Sequence, residues 1–174
     1  MTRHSTLTMT ALAICLIWTF PTSGAIAQEK QTVSYRTTAE TSKYTQQLNL
    51  TAGDIPNHVV RAFELHRVPS NPAVINGVKL VEDNNWGLTD LVDGNGSATV
   101  YSVYSMENGD KFFARAALVI ENSGGKLTAT QVGRITGGTG KLSGIQGSTR
   151  VVTHFDIHSG FNEAQTDIEY SLGK

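Results

Sequence analysis

The sequence predicts an all-β protein, an eight-stranded antiparallel β-barrel, and three observations support this class. Apolar residues alternate with polar ones instead of recurring at helical spacing. Turn residues such as Asn108-Gly109 recur at roughly ten-residue intervals, as expected of strands joined by hairpins. Long antiparallel strands that no helix covers would leave open edges, and closure into a barrel removes those edges.

The first 27 residues have the features of a secretory signal. Arg3 and His4 precede a short apolar run over residues 11–20, and Ala25-Ile-Ala27 matches the small-residue cleavage pattern. The run is about half of the roughly 20 apolar residues that a membrane-spanning helix needs. We therefore expect cleavage after Ala27 and a secreted or periplasmic protein.

Residues 28–43 are polar and rich in Thr and Ser, which predicts a flexible N-terminal extension. Residues 44–174 are predicted to form the barrel domain. Its predicted strands are Tyr44–Leu50, Val59–Val68, Val78–Asn84, Ser97–Met106, Lys111–Glu121, Lys126–Thr136, Ser148–His158 and Asn162–Leu172. The turns between them include Asp93-Gly-Asn-Gly96 and Asn122-Ser-Gly-Gly125, both typical of hairpins.

The segment from Ile135 to Gly147, Ile-Thr-Gly-Gly-Thr-Gly-Lys-Leu-Ser-Gly-Ile-Gln-Gly, has some likeness to a phosphate-binding loop. In that loop a Ser or Thr follows the lysine and a helix begins there, whereas Leu142 follows Lys141 here. We interpret the segment as a tight corner between two strands, where positive φ and close backbone approach favour glycine.

Composition excludes several classes of function. The one cysteine, Cys15, lies within the predicted signal, so the mature domain is expected to have neither a disulfide nor a thiol nucleophile. The formal net charge of −1 does not favour binding to nucleic acid. No motif points to a cofactor, and we expect none. His154, Asp156 and His158 alternate along one strand, but the opposite face is apolar, so these three should face solvent and no metal site is expected.

The glycine-rich corner, followed by Thr166-Asp-Ile-Glu-Tyr-Ser-Leu172, resembles the corner and final strands of the allene oxide cyclase-like barrels. That family includes plant allene oxide cyclases and, more distantly, dirigent proteins. The resemblance implies an eight-stranded barrel, commonly trimeric, that holds a hydrophobic small molecule without a cofactor. It covers the chain from about Val59 to its end.

The resemblance also implies candidate site residues. Phe63-Glu-Leu-His66 and the later Pro72-Ala73 resemble a cavity segment of the cyclases, so Glu64 becomes a candidate catalytic residue, and His66 and Pro72 candidate substrate contacts. Leu88-Thr-Asp-Leu-Val-Asp-Gly94 resembles a dirigent segment whose aspartates act as acids, which makes Asp90 the second catalytic candidate. Thr99, near a cavity cysteine of the cyclases that this chain lacks, is a further candidate substrate contact. Tyr101 is another on its own chemistry, because an inward-facing aromatic side chain could line a ligand pocket.

The residues alone leave the placement of Glu64 open. Glu64 and His66 share one face of their strand, while Phe63 and Leu65 share the other with Arg61 and Arg67. The larger apolar side chains favour an outward Glu64, whereas the resemblance favours an inward one whose pKa burial would raise. Asp90 is similarly open, since Asp-Leu-Val-Asp-Gly is also an ordinary entry into a turn.

Two hypotheses about function follow. In the first, the barrel is a cofactor-free isomerase, cyclase or dirigent-like enzyme that confines a hydrophobic intermediate, with Glu64 or Asp90 handling a proton. In the second, it is an exported binding or structural module without catalysis. Fold alone does not decide between them, because function depends on the site.

Overall fold

The computed structural model describes residues 29–173. Within that range the chain forms ten β-strands and two short 3₁₀ helices, Ala39–Thr41 and Gly140–Leu142. The strands are β1 (Gln31–Thr37), β2 (Ser42–Thr51), β3 (His58–Arg67), β4 (Val74–Ile75), β5 (Val78–Val92), β6 (Asn95–Met106), β7 (Lys111–Ser123), β8 (Lys126–Gly138), β9 (Ile145–Phe155) and β10 (Asn162–Leu172). The all-β prediction is confirmed.

The strands form one antiparallel sheet in the order β1, β10, β9, β8, β7, β6, β5, β3, β2, with β4 added beside β5. The two ends of this order, β1 and β2, are consecutive in the chain and act as one bent strand that joins β10 to β3. The Val68 N–H donates to the Thr41 carbonyl at 2.9 Å, and Ser70 N–H donates to that of Arg36 at 2.8 Å. These hydrogen bonds bridge the junction between β1 and β2. With β1 and β2 counted as one strand and β4 left aside, the sheet curls into an eight-stranded barrel.

The predicted flexible extension over residues 28–43 is wrong, because this stretch contains β1. Thr32 and Ser34 are polar and exposed, but Tyr35 and Thr37 face the interior and are buried. The segment is ordered by pairing with β10, from Gln31 opposite Tyr170 to Thr37 opposite Ala164. Because this strand is stabilised by a partner far away in the chain, the local sequence gives little indication that it is a strand. The predicted signal over residues 1–27 lies outside the described residues.

Strand β5 is longer than predicted and extends to Val92 instead of Asn84. Asn84, Asn85 and Gly87 are poor strand formers by propensity, which explains the early predicted end. Asn85 is nevertheless buried, and it is hydrogen-bonded inside the barrel. The turn that follows is as predicted: Asp93 and Gly94 have φ of 51° and 78°, as a two-residue hairpin requires.

The interior contains two apolar clusters. The larger cluster closes one end of the barrel and includes Tyr35, Ile75, Leu80, Tyr104, Met106, Phe112, Leu142, Ile145, Ile168 and Tyr170. The smaller cluster lines the wall near the other end and consists of Leu91, Ala98, Ile120, Leu127, Ala129 and Phe155. One end of the barrel is therefore plugged by side chains, while the other has an apolar lining.

The glycine-rich segment forms the predicted corner between β8 and β9. Gly140 and Gly144 have φ of 52° and 84°, in the region that favours glycine. A Cβ on Gly138 would lie 2.4 Å from the Leu142 carbonyl oxygen. Leu142, beside Lys141, points into the apolar plug, so the segment closes the barrel end instead of cradling a phosphate. No helix among residues 29–173 is long and apolar enough to cross a membrane.

Candidate functional site

Strand β3 settles which of its faces points inward. Arg61, Leu65 and Arg67 are buried in the barrel, whereas Glu64 and His66 lie on the outer face. The Phe63 ring also points inward, since a Cβ built on Gly87 of the neighbouring strand would meet it. Glu64 is half-buried on the outside, where its cross-strand neighbours are Gln46 and Trp86. The resemblance implied that Glu64 faces the interior, and this placement is wrong.

Glu64, Thr99 and Tyr101 do come together, but in a depression on the outside of the wall. This outer-face depression has a volume of about 810 Å³ and is lined by Gln46, Leu48, Glu64, Trp86, Leu88, Thr99, Tyr101 and Arg115, among others. Trp86 and Tyr101 are in aromatic contact, with ring centroids 6.3 Å apart. The Arg115 guanidinium lies 5.6 Å from the Tyr101 centroid. The outer-face depression is therefore an exposed surface rich in aromatic side chains.

Asp90 is exposed on the same outer face and accepts a hydrogen bond from His58 Nε2 at 2.7 Å. The other ring nitrogen, Nδ1, lies 2.6 Å from Asp54. These hydrogen bonds, that of Asp54 first, raise the pKa of His58 above its ordinary value of 6.5. The arrangement anchors the β2–β3 loop to β5.

The two remaining candidates lie apart from both groups. Pro72 is exposed in the segment before β4. His66 is half-buried on the outer face, and its Nε2 has no hydrogen-bond partner among the described residues. The structure thus gathers three of the six candidates, and their predicted catalytic and substrate-binding roles stay predictions.

A polar network crosses the barrel interior above the apolar plug. Asp83 accepts hydrogen bonds from the Tyr35 hydroxyl at 2.7 Å and from Asn85 Nδ2 at 2.8 Å. Asn85 in turn accepts from the Ser102 hydroxyl at 2.6 Å. Burial, and after it the charge of Asp83, raises the pKa of Tyr35 well above its ordinary value, so this phenol stays a neutral donor.

Arg67 extends this network, because it lies between Asp83 and Asn162. Its Nη1 lies 3.9 Å from Asp83 Oδ2, and its Nη2 donates to Asn162 Oδ1 at 2.8 Å. Asn162 Nδ2 donates to the Tyr44 hydroxyl at 3.0 Å. The guanidinium and the carboxylate are both engaged, as buried charges require.

Arg61 has no such ionic partner. It is 3% exposed, its Nη2 donates to Gln47 Oε1, and its guanidinium carbon lies 4.5 Å from the Tyr44 ring centroid. Its Nε is buried with no hydrogen-bond partner, and Arg61 makes no ion pair within residues 29–173.

Two neighbouring spaces adjoin Arg61. A narrow inner cavity of about 40 Å³ lies within the barrel, and apolar wall residues line it together with polar ones, among them Arg61, Arg67, Asn85, Gln131 and Asn162. A wider pocket of about 480 Å³ opens at the unplugged end and is lined by Val59, Leu91, Leu127 and Ile157 together with polar turn residues. Arg61 and Thr89 line both spaces and so lie between them. We call these the inner cavity and the open-end pocket.

Sequence reasoning did not select Arg61, Arg67 or Asp83 as site residues. The signal for the arginines was present, because they share a strand face with Phe63 and Leu65. Charged residues on the more apolar face of a strand indicate buried charge. Across the described part of the chain, no group of three His, Cys, Asp or Glu side chains is arranged to hold a metal ion.

Comparison with solved structures finds the pterocarpan synthase dirigent protein PsPTS1, with a TM-score of 0.52 and 10% sequence identity. The match covers 84% of this chain and 97% of that one. The chain has a dirigent-like barrel fold. A second dirigent protein, the pterocarpan synthase GePTS1, gives a TM-score of 0.47 at 12% identity, over 91% of this chain and 98% of that one.

No protein-family model matches the chain, and no curated protein matches it either. The expected likeness is confirmed for the dirigent-like barrel, while a specific relation to allene oxide cyclases stays a prediction. At this identity the dirigent-like barrel is a statement about fold, and any function rests on the geometry of the site.

Proposed function

We propose that this dirigent-like barrel binds a small, predominantly apolar molecule in the open-end pocket. The observation that carries the proposal is a ligand-sized space of about 480 Å³ with Val59, Leu91, Leu127 and Ile157 in its walls. Binding sites for small molecules commonly measure roughly 300–1,000 Å³ and combine apolar walls with a few polar groups.

Of the two ends of the barrel, the fold supports binding at this one alone. The opposite end is filled by the plug around Tyr35, Tyr104 and Phe112, so a ligand entering along the barrel axis would have to use the unplugged end. Small interior residues, Ala98 and Ala129, widen the barrel below the pocket.

The enzymatic hypothesis gains no support from the positions of its two carboxylates. Glu64 and Asp90 lie on the outer face, where they cannot reach a ligand in the open-end pocket without passing through the wall. Among the described residues, the acidic side chain buried in the interior is Asp83, and its oxygens already accept hydrogen bonds from Tyr35 and Asn85. We therefore favour a binding module over a cyclase or isomerase.

The proposal is tested by blocking the pocket. Val59 faces the pocket opposite Leu91, whereas its neighbour Val60 faces outward opposite Asp90, so the two offer a matched pair. Small molecules that survive native purification are identified by mass spectrometry for the wild type, Val59→Trp and Val60→Trp. We expect Val59→Trp alone to lose the ligand, and equal retention by both variants would refute the site.

The enzymatic hypothesis has its own test. Glu64→Gln and Asp90→Asn are assayed for conversion of whatever ligand co-purifies, with product analysis. We expect both variants to match the wild type, because neither side chain reaches the pocket. A changed product distribution in either variant would restore the enzymatic hypothesis.

We propose further that the barrel is exported, on the strength of the basic start, the apolar run and Ala25-Ile-Ala27. Sequencing the N-terminus of protein produced with its own leader should give Gln28 as the first residue. Retention of Met1 in the recovered protein would refute export by this route.

A further inference from the structure

We propose that the ligand carries a carboxylate, and that Arg61 binds it at the floor of the open-end pocket. This inference rests on the proposed function and makes it more specific, because it names the ligand as an apolar acid.

Arg61 is a buried charge that has no counter-charge among residues 29–173. A guanidinium remains protonated at any ordinary pH, so it cannot escape burial by losing a proton. It is 3% exposed and belongs to no ion pair among the described residues. Buried charges in folded proteins are paired, and an unpaired one carries a large desolvation cost.

The neighbours of Arg61 orient its guanidinium but do not neutralise it. Gln47 accepts one hydrogen bond, and the rings of Tyr44 and Phe63 lie 4.5 Å and 5.4 Å from the guanidinium carbon. These groups leave the Nε–H, which is fully buried, without an acceptor. Nε has no accessible surface, so a carboxylate would bind the part of Arg61 that lines the two spaces, in a plane that these neighbours fix.

Arg67, six residues along the same strand, shows the contrast. It has Asp83 at 3.9 Å and Asn162 as a double acceptor, so its charge is met within the protein. Counting buried side chains, the described interior holds two guanidiniums and one carboxylate. The missing negative charge belongs beside Arg61.

The space beside Arg61 fits a head group and excludes a whole ligand. The inner cavity of about 40 Å³ exceeds the roughly 10–15 Å³ that one water molecule requires, so it has room for a carboxylate group. The apolar body would remain above it, against Leu91 and Leu127 in the open-end pocket.

The acidic groups at this end do not serve Arg61. Asp93 accepts a hydrogen bond from Asn57 Nδ2 at 2.7 Å, and Asp156 accepts from the His158 N–H at 2.8 Å and the Ser159 hydroxyl at 2.9 Å. Both carboxylates are committed to turns at the rim. Their charge disfavours an anion at the rim, so the ligand's carboxylate is placed at depth.

The experiment compares decanoate with decan-1-ol, which has the same chain and no charge, by calorimetric titration of the full-length mature protein. We expect decanoate to bind the wild type at least about tenfold more tightly, as a charge-assisted hydrogen bond implies. Equal affinities would overturn the carboxylate inference and leave the apolar pocket standing. Binding of neither probe would overturn the pocket as well.

Substitution then locates the preference. Arg61→Met keeps the length and apolar contacts of the side chain, and we expect it to bind both probes equally. Arg115→Met removes another guanidinium that stacks on an aromatic ring, but on the outer face, and should keep the wild-type preference. A preference that persists in Arg61→Met would overturn the assignment. If Arg61→Met does not fold, the comparison of the two probes on wild-type protein still decides whether the ligand is an acid.

Discussion

The ring of Phe63 lies across Gly87, its cross-strand neighbour on β5, inside the barrel. A Cβ built on Gly87 would lie 2.2 Å from Cζ of that ring and 2.4 Å from Cε1. The ring also makes an edge contact with Tyr44, at 5.8 Å between centroids. The glycine therefore creates the space that lets the aromatic wall beside Arg61 form.

Gly87→Ala should destabilise the protein by about 1–3 kcal/mol, because the added methyl overlaps a ring that is already packed against Tyr44 and Arg61. Urea unfolding followed by fluorescence measures the change. Combining it with Phe63→Leu should recover part of the loss, since the smaller side chain removes the overlap. A double variant whose losses simply add would contradict this packing.

Asp83→Asn should destabilise the fold by about 3 kcal/mol or more, since it leaves the buried Arg67 without its carboxylate. Tyr35→Phe is the matched control, because it removes a hydrogen bond to the same carboxylate and no charge. Its expected cost is about 1 kcal/mol. Equal losses for the two variants would show that the charge on Asp83 does not matter.

Stability should depend on pH through His58. Hydrogen bonds to Asp54 and Asp90 raise its pKa in the folded state above the 6.5 of an unperturbed imidazole. The contribution is therefore fully present below about pH 6.5 and is lost as pH rises through the raised folded value. The pKa of Asp54 is lowered from its ordinary 3.8, chiefly by the same hydrogen bond. The stability that Asp54 contributes is therefore present above about pH 3.8 and is lost as the pH falls below that value.

Proton NMR titration of His58 checks this prediction directly. In Asp90→Asn the pKa of His58 should move back toward 6.5. Urea midpoints of the wild type should fall above neutral pH more steeply than those of His58→Gln. A wild-type His58 that titrates at or below 6.5 would contradict the contact geometry.

We expect the barrel to self-associate through its outer face, as the resemblance to trimeric barrels implied. Leu48 and Leu88 flank Ala62 on adjacent strands and are 59% and 53% exposed, and Trp86 beside them is 41% exposed. Apolar surface of this extent on one wall is typical of an interaction site. Leu88→Lys should weaken association by roughly tenfold or more, measured by light scattering after size exclusion.

Gln165→Glu, on β10 between β1 and β9, supplies the control for this surface. It changes the charge of an outer-face residue that lies away from Leu48 and Leu88, and should leave association as in the wild type. A wild-type protein that stays monomeric at high concentration would contradict the predicted self-association.

The candidate site could be predicted from sequence only in part. Period-two alternation correctly placed Glu64 with His66, and Arg61 with Phe63, on opposite faces of β3. It could not say which face was inside, because each face carried both apolar and charged residues. The pairing of β3 between β2 and β5 decides this, and it places Arg61 in the interior.

The sequence by itself determined eight of the ten described strands, the Asp93-Gly94 hairpin and the closing corner. These are local properties: Asp93-Gly94 adopts positive φ, and Gly140 and Gly144 turn the chain where a side chain would be strained. The tertiary structure alone decided that β1 is a strand, that Glu64 and Asp90 lie outside, and that Arg61 is buried with no counter-charge in the described part of the chain. Those outcomes depend on contacts between residues far apart in the chain, and alternation within a single strand carries no information about such contacts.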